Sequence, residues 1–198
     1  EIRYAPLQGL KLTGGAINQK YHHNSLFITE TPFLGAKESL HHEIGGWNIE
    51  LHLLQSIPSN HTLSQRLGEV QQGSARFYSE RVELKKSTTI YELDLGVGHF
   101  AYDQLSSSIA YNSRLLGNTV TGFGSENNRF VYNYMGWNAN AKFLFKGLGK
   151  NIFGGHGGYH VNTSAPSDRN LGYNLGGQYT YLFSSGTLNI FAETFENQ

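Results

Sequence analysis

The sequence predicts an all-β protein, folded as an antiparallel up-and-down transmembrane β-barrel with about 8–10 strands in this chain. Three observations carry that prediction. Apolar and polar residues alternate with a period of two along much of the chain, and short turn sequences alternate with longer polar ones. Charged residues make up only 15%, while glycine numbers 24 and aromatic residues reach 13%. The strands either close a small barrel by themselves or form a portion of a larger one.

Composition excludes several other classes of protein. The 198 residues include 15 Lys and Arg, 15 Asp and Glu, and no cysteine. Zero net charge provides no electrostatic footprint for nucleic acid, and a chain without cysteine has neither disulfides nor thiolate metal sites. A disordered chain would contain fewer aromatic residues and more charge. No segment approaches the ~18 consecutive apolar residues of a transmembrane helix, but a transmembrane strand is only half apolar and escapes that criterion.

The clearest strands are three segments in which every second residue is apolar, 47–53, 91–98 and 171–183. In 91–98, apolar residues at odd positions alternate with acidic residues and glycine. Successive side chains of a strand point to opposite faces, so each segment has one apolar and one polar face. Weaker alternation predicts further strands at 10–16, 26–28, 75–78, 129–146, 151–162 and 188–193.

The predicted connections alternate in length. Glycine-rich and serine-rich sequences at 146–150 and 184–186 are typical of tight turns. The segments 163–170 and 116–128 are longer polar loops. Short turns at one edge and long loops at the other are typical of membrane barrels.

One stretch departs from the β pattern. In 60–73, leucine and valine recur at helical spacing, and Thr62 with Gln65 resembles a capping box. We therefore expect a single β-barrel domain over 1–198, in which 56–73 is a long loop with a short helix. That helix either packs within the loop or folds into the lumen as a constriction.

Aromatic residues at the strand ends favour a membrane location. Trp47 and Tyr91 open two apolar runs, and Tyr181 and Phe183 end a third directly before a turn. Tyr and Trp are enriched at membrane–water interfaces. Glycine also takes many strand positions, where it weakens a packed core unless backbones approach closely. A soluble β-sandwich shows the same alternation and is the alternative fold.

Four segments are similar to strands of Gram-negative outer-membrane porins: 9–15, 91–98, 172–181 and 186–195. The resemblance is to the loosely defined putative porin families. It implies a location in the bacterial outer membrane, in contact with the lipid bilayer and lipopolysaccharide. It also implies a passive channel for small hydrophilic solutes and assembly as a homotrimer.

The polar face of such a barrel lines its lumen. The predicted pore-lining residues are Glu50, His52, Glu92, Asp94, Asn138, Asn140, Lys142, His156, His160, Asn174, Gln178 and Glu193. Rings of charged side chains decide which ions pass through a pore. The alternative for the same residues is a filled barrel, in which they satisfy one another and leave no channel.

No constellation in the sequence indicates an enzyme, a cofactor site or a metal site. The adjacent pairs His22–His23 and His41–His42 offer at most one ligand per face, because neighbours on a strand point to opposite sides. Ser25 lies near His23 but in no motif of a nucleophilic hydrolase. We therefore expect no catalytic, cofactor-binding or metal-binding residues. Besides the channel, two functions stay open: a non-porous structural or adhesive outer-membrane barrel, and a soluble β-sandwich that binds a ligand.

Overall fold

Alternation of apolar and polar residues produces long strands in this protein, because extended backbone sends successive side chains to opposite faces. The computed structural model describes residues 1–18, 32–58, 75–105, 107, 120–123, 127 and 129–197. Their strands are β1 (Ile2–Leu7), β2 (Leu10–Asn18), β3 (Pro32–Ile44), β4 (Trp47–Ile57), β5 (Arg76–Ser87), β6 (Tyr91–Asp103), β7 (Val120–Thr121), β8 (Arg129–Phe130), β9 (Met135–Leu148), β10 (Asn151–Asn162), β11 (Leu171–Leu182) and β12 (Thr187–Asn197). The three clearest predicted strands are confirmed as β4, β6 and β11.

Ten of these strands form one antiparallel sheet in the order β1-β2-β3-β4-β5-β6-β9-β10-β11-β12. Each strand pairs with its neighbour in the sequence, except that β6 pairs with β9. The connection between β6 and β9 contains β7 and β8, which form a separate two-stranded sheet. The predicted all-β, antiparallel, up-and-down fold is therefore confirmed.

The sheet is open within the described residues, so these strands do not close a small barrel by themselves, the first of the two predicted arrangements. β1 and β12 are its two edges and do not pair with each other. Closure requires the first and last strands to meet at a staggered register. β1 offers only six residues for such a pairing, and all of them are exposed.

The two ends of the sheet differ in the length of their connections. Turns of two to four residues join β1 to β2, β3 to β4, β5 to β6, β9 to β10 and β11 to β12. We call this edge the turn end, and the opposite edge, where the longer connections lie, the loop end. In the β3–β4 turn, Gly45 and Gly46 have φ values of 59° and 74°, the left-handed values that a two-residue type I′ hairpin needs. The predicted turn at 184–186 and the loop at 163–170 are confirmed by these boundaries, whereas the turn predicted at 146–150 is confined to 149–150, since β9 continues to Leu148.

Some predicted strand boundaries are wrong. β5 extends far beyond the predicted 75–78, because charged residues on both of its faces obscure the period of two. The single strand predicted at 129–146 is divided into β8 and β9, with an irregular segment at 131–134 between them. The short strand predicted at 26–28 lies outside the described residues.

Two predicted loops lie largely outside the described residues. β4 continues to Ile57, so the predicted loop 56–73 begins inside a strand, and its residues from 59 onward are not among those described. Within 116–128, the described residues include the short strand β7. Among the described residues, no helix has the length and hydropathy needed to span a bilayer.

A small apolar cluster packs on one face of the sheet at the loop end. Its buried members are Ile17, Phe33, Leu54, Phe77 and Phe100. Tyr102 and Tyr134 pack against them, and the Tyr102 ring centroid lies 4.5 Å from that of Phe77. Because Tyr134 is buried there, the pKa of its hydroxyl is raised. The sequence between β8 and β9 is thereby held against the sheet.

Candidate functional site

The two faces of the sheet are inverted relative to those of a soluble domain. On β4, Leu51 and Leu53 are 37% and 41% exposed, whereas His52 between them is 7% exposed. On β9, Trp137 is 53% exposed and Asn138 is 2% exposed. A one-sided soluble sheet buries its apolar face and exposes its polar face. We call the face that carries Leu51, Leu53 and Trp137 the apolar face, and the face that carries His52 and Asn138 the polar face.

The apolar face carries aromatic residues toward both ends of the strands. Toward the turn end they are Trp47, Tyr91, Phe143, Phe153 and Tyr179, and toward the loop end they are Tyr78, Trp137, Tyr159 and Tyr173. Rings on neighbouring strands meet, with centroids 6.4 Å apart for Tyr91 and Phe143 and 5.2 Å apart for Phe153 and Tyr179. Trp137 and Phe143 are separated by about 20 Å of strand. Two groups of aromatic residues thus flank the middle of the apolar face, the arrangement of the aromatic girdles of membrane barrels.

Three polar or charged side chains on the apolar face have partners there. The Lys86 ammonium lies over the Trp47 ring, 5.2 Å from its centroid, at the turn end. Toward the loop end, His99 Nδ1 lies 3.9 Å from a Glu80 carboxylate oxygen. Such pairing near the strand ends suits an interface between water and an apolar medium.

Arg81 is the centre of a buried hydrogen-bond network on the polar face. Its side chain is 4% exposed. Its Nε donates to Glu83 Oε1 at 2.9 Å and its Nη1 donates to Asn138 Oδ1 at 2.8 Å, while Nη2 donates to Asn140. The guanidinium thus reaches from β5 across β6 to β9. Buried charge is tolerated where it is paired and hydrogen-bonded in this way.

The network continues from Glu83 toward β3. Lys85 Nζ lies 2.5 Å from Glu83 Oε2 and 3.5 Å from Glu50 Oε2. His52 Nε2 lies 3.1 Å from Glu50 Oε2, and its Nδ1 lies 3.0 Å from the Ser39 hydroxyl oxygen. Polar side chains therefore connect β3, β4, β5 and β9 on this face.

Glycines on β6 and β11 leave space for the long polar side chains of their neighbours. A Cβ on Gly96 would lie 2.0 Å from Arg81 Nη2. A Cβ on Gly172 would lie 2.1 Å from Cε1 of the His160 ring. These positions explain why glycine recurs in strands of this chain, since each permits a close approach that a side chain would block.

Glu50, His52 and Glu83 are the one group among the described residues whose ligand atoms could hold a metal ion, all lying within 4.8 Å of one another. The Lys85 ammonium already contacts both carboxylates. It supplies the positive charge that a cation would bring. No pattern in the sequence predicts this group, because its three residues lie on two different strands.

The strand registers place all twelve residues predicted to line a pore on the polar face. Glu193 Oε1 lies 3.3 Å from His156 Nε2 and accepts a hydrogen bond from Asn174 Nδ2 at 2.6 Å. Asp94 and Lys142 are register partners on β6 and β9, yet no ion pair joins them to each other or to another described residue. The predicted set thus shares one face but forms separate groups.

Arg81, Glu83 and Lys85 were missed by the sequence analysis. Val82 and Leu84 alternate with these charges, but Glu80 and Lys86 lie on the same face as Val82 and Leu84, so the alternation is confined to 81–85. The signal that would have revealed these residues is charge at every second position, because residues two apart share a strand face. Opposite charges on one face can form an ion pair there.

Comparisons with protein-family models, curated proteins and solved structures find no match to this chain. The features of this chain that bear on its function are therefore the inverted faces and the chemistry of the polar face.

Proposed function

We propose that this chain forms the wall of a porin-like outer-membrane β-barrel, through which small hydrophilic solutes diffuse passively. The observation that carries the proposal is the exposed apolar face. Leu175 is 63% exposed and Ile190 is 56% exposed, on neighbouring strands of that face. Contiguous apolar surface of this kind marks a contact with membrane or protein. Bilayer lipid would cover it without leaving polar groups unsatisfied.

The same observation argues against the soluble β-sandwich. A sandwich needs a second sheet packed on the apolar face of the first. In the described part of the chain, the second sheet consists of two strands with two residues each. That sheet is far too small to cover ten strands.

The polar face supplies the chemistry that a solute pathway needs. Acids, lysines, histidines and amides share it, and the acids and bases lie side by side rather than on separate strands. Because the charges are balanced, we propose a channel with weak preference between anions and cations. The open edges are then completed by pairing in the membrane, since an unpaired backbone group in lipid costs several kcal/mol. Lipopolysaccharide contact and a homotrimer belong to the same proposal.

A non-porous structural or adhesive barrel is the second candidate, and one observation favours it. Phe77 is 0% exposed, Asn138 2% and Arg81 4%. The polar face is therefore filled in part. A barrel whose lumen is filled along its whole length conducts nothing.

Two measurements on one preparation test the proposal. The chain is expressed with a secretion signal, extracted in detergent, and compared by gel mobility before and after boiling. We expect a heat-modifiable band and stepwise conductance in a planar bilayer, with boiled protein as the matched control. A heat-modifiable band without conductance supports the non-porous barrel. A chain that is soluble without detergent and shows one mobility contradicts both membrane candidates.

A further inference from the structure

We infer that the polar face binds a small zwitterion, a molecule with one ammonium and one carboxylate such as an amino acid, between Asp94 and Lys142. The two residues lie opposite each other on β6 and β9. The inference deepens the proposed channel function and rests on it, since it takes the polar face to meet an aqueous lumen.

A pocket of about 230 Å³ opens near the turn end of β5, β6 and β9. The charged residues that line it are Lys85, Lys86, Glu92, Asp94 and Lys142. Pockets for drug-sized ligands measure roughly 300–1,000 Å³. The smaller volume here suits a solute with few heavy atoms.

Three of those five charges are engaged with neighbours. The Lys85 ammonium lies 2.5 Å from Glu83, and the Lys86 ammonium lies over the Trp47 ring. Glu92 accepts a hydrogen bond from Lys146. The charges that stay available to a solute are therefore those of Asp94 and Lys142.

Asp94 and Lys142 do not satisfy each other. Opposite charges directly across a strand pair ordinarily stabilise it by interacting. Here neither side chain is within 4.0 Å of an oppositely charged atom of the described residues. Asp94 Oδ1 is also buried without a hydrogen-bond donor among the described residues, so this carboxylate lacks part of the stabilisation that a buried acceptor ordinarily receives.

Because the pocket contains both positive and negative side chains, it favours one class of ligand. A simple anion at Lys142 would be repelled by Asp94 and Glu92, and a simple cation at Asp94 would be repelled by the lysines. A zwitterion avoids both penalties. Its ammonium donates to the Asp94 carboxylate, and its carboxylate accepts from the Lys142 ammonium.

Calorimetric titration of the detergent-solubilised chain tests the site. The probes are glycine, β-alanine and γ-aminobutyrate, with acetate and methylammonium as singly charged controls. We expect one of the zwitterions to bind at least ~10-fold more tightly than either control. Asp94→Asn and Lys142→Gln should each remove that preference, and Lys150→Gln, in the β9–β10 turn, should keep it. The charge exchange D94K/K142D should restore binding, with the ligand reversed.

Each remaining outcome has a defined meaning once heat-modifiable mobility has verified the fold of every variant. Equal binding of zwitterions and acetate, or unchanged zwitterion affinity in D94N and K142Q, overturns the site. Conductance without zwitterion binding also overturns the site but leaves the channel proposal intact. Zwitterion binding without conductance supports the site and counts against the channel.

Discussion

Arg81 illustrates how a charged residue is held within a sheet face. Its guanidinium donates to Glu83, Asn138 and Asn140, so three partners replace the water it loses. The glycine at 96 provides the space that the guanidinium occupies. The position of the Arg81 guanidinium thus depends on residues of β6 and β9 as well as on residues of its own strand.

At this scale we predict the effect of Arg81→Met. Removal of the guanidinium takes one donor from each of Glu83, Asn138 and Asn140, and loss of one partner of a buried ion pair typically costs about 3–5 kcal/mol. Urea unfolding of the lipid-reconstituted protein measures the change in free energy of unfolding. Arg3→Met is the matched control, because the Arg3 side chain is 63% exposed and pairs with Glu1 at the surface. Equal stability of the two variants would show that the Arg81 network contributes nothing.

At the scale of the strand, close backbone approach is as important as side-chain pairing. Gly136 is the second residue of β9 and lies opposite Asn162 of β10. A Cβ at Gly136 would lie 1.8 Å from the carbonyl oxygen of Val161 and 2.8 Å from its carbonyl carbon. Backbone atoms cannot rotate away as a side chain can, so the two strands would have to separate.

We therefore predict that Gly136→Ala destabilises the sheet by about 1–3 kcal/mol, the cost of overpacking a filled site. Gly14→Ala is the control, since a Cβ at Gly14 has nothing within 4 Å. Urea unfolding of both variants, monitored by the shift in gel mobility, provides the comparison. The prediction fails if G136A unfolds at the same urea concentration as G14A.

At the scale of the whole molecule, the sheet has one apolar side and one polar side. Trp47 and Trp137 are the two tryptophans of the chain, and both lie on the apolar face. They stand on strands β4 and β9 and toward opposite ends of the sheet. Tryptophan fluorescence therefore reports on the apolar face alone.

We predict that brominated lipids quench this fluorescence strongly, whereas acrylamide in the water phase quenches it weakly. The control replaces both tryptophans with Phe and introduces Phe191→Trp, an aromatic exchange on the polar face where the side chain is 80% exposed. In this control we expect acrylamide to be the stronger quencher. Strong acrylamide quenching of the native tryptophans would contradict a lipid-facing apolar side.

The sequence by itself determined that this protein consists of strands and which residues of a strand share a face. The alternation in 47–53 and 91–98 is local, because a period of two depends only on consecutive residues in extended backbone. For the same reason the twelve predicted polar residues lie together on one face. β5 was missed over most of its length because charge on both of its faces hides that period.

Only the tertiary structure decided which residues meet and where the sheet ends. Arg81 and Asn138 are 57 residues apart in the sequence, and their contact depends on the registers of two successive strand pairs. A register is fixed by pairing and packing between distant segments, which no local pattern records. The open edges at β1 and β12, the partly filled polar face, and the separation of Asp94 from Lys142 all follow from those long-range registers rather than from alternation.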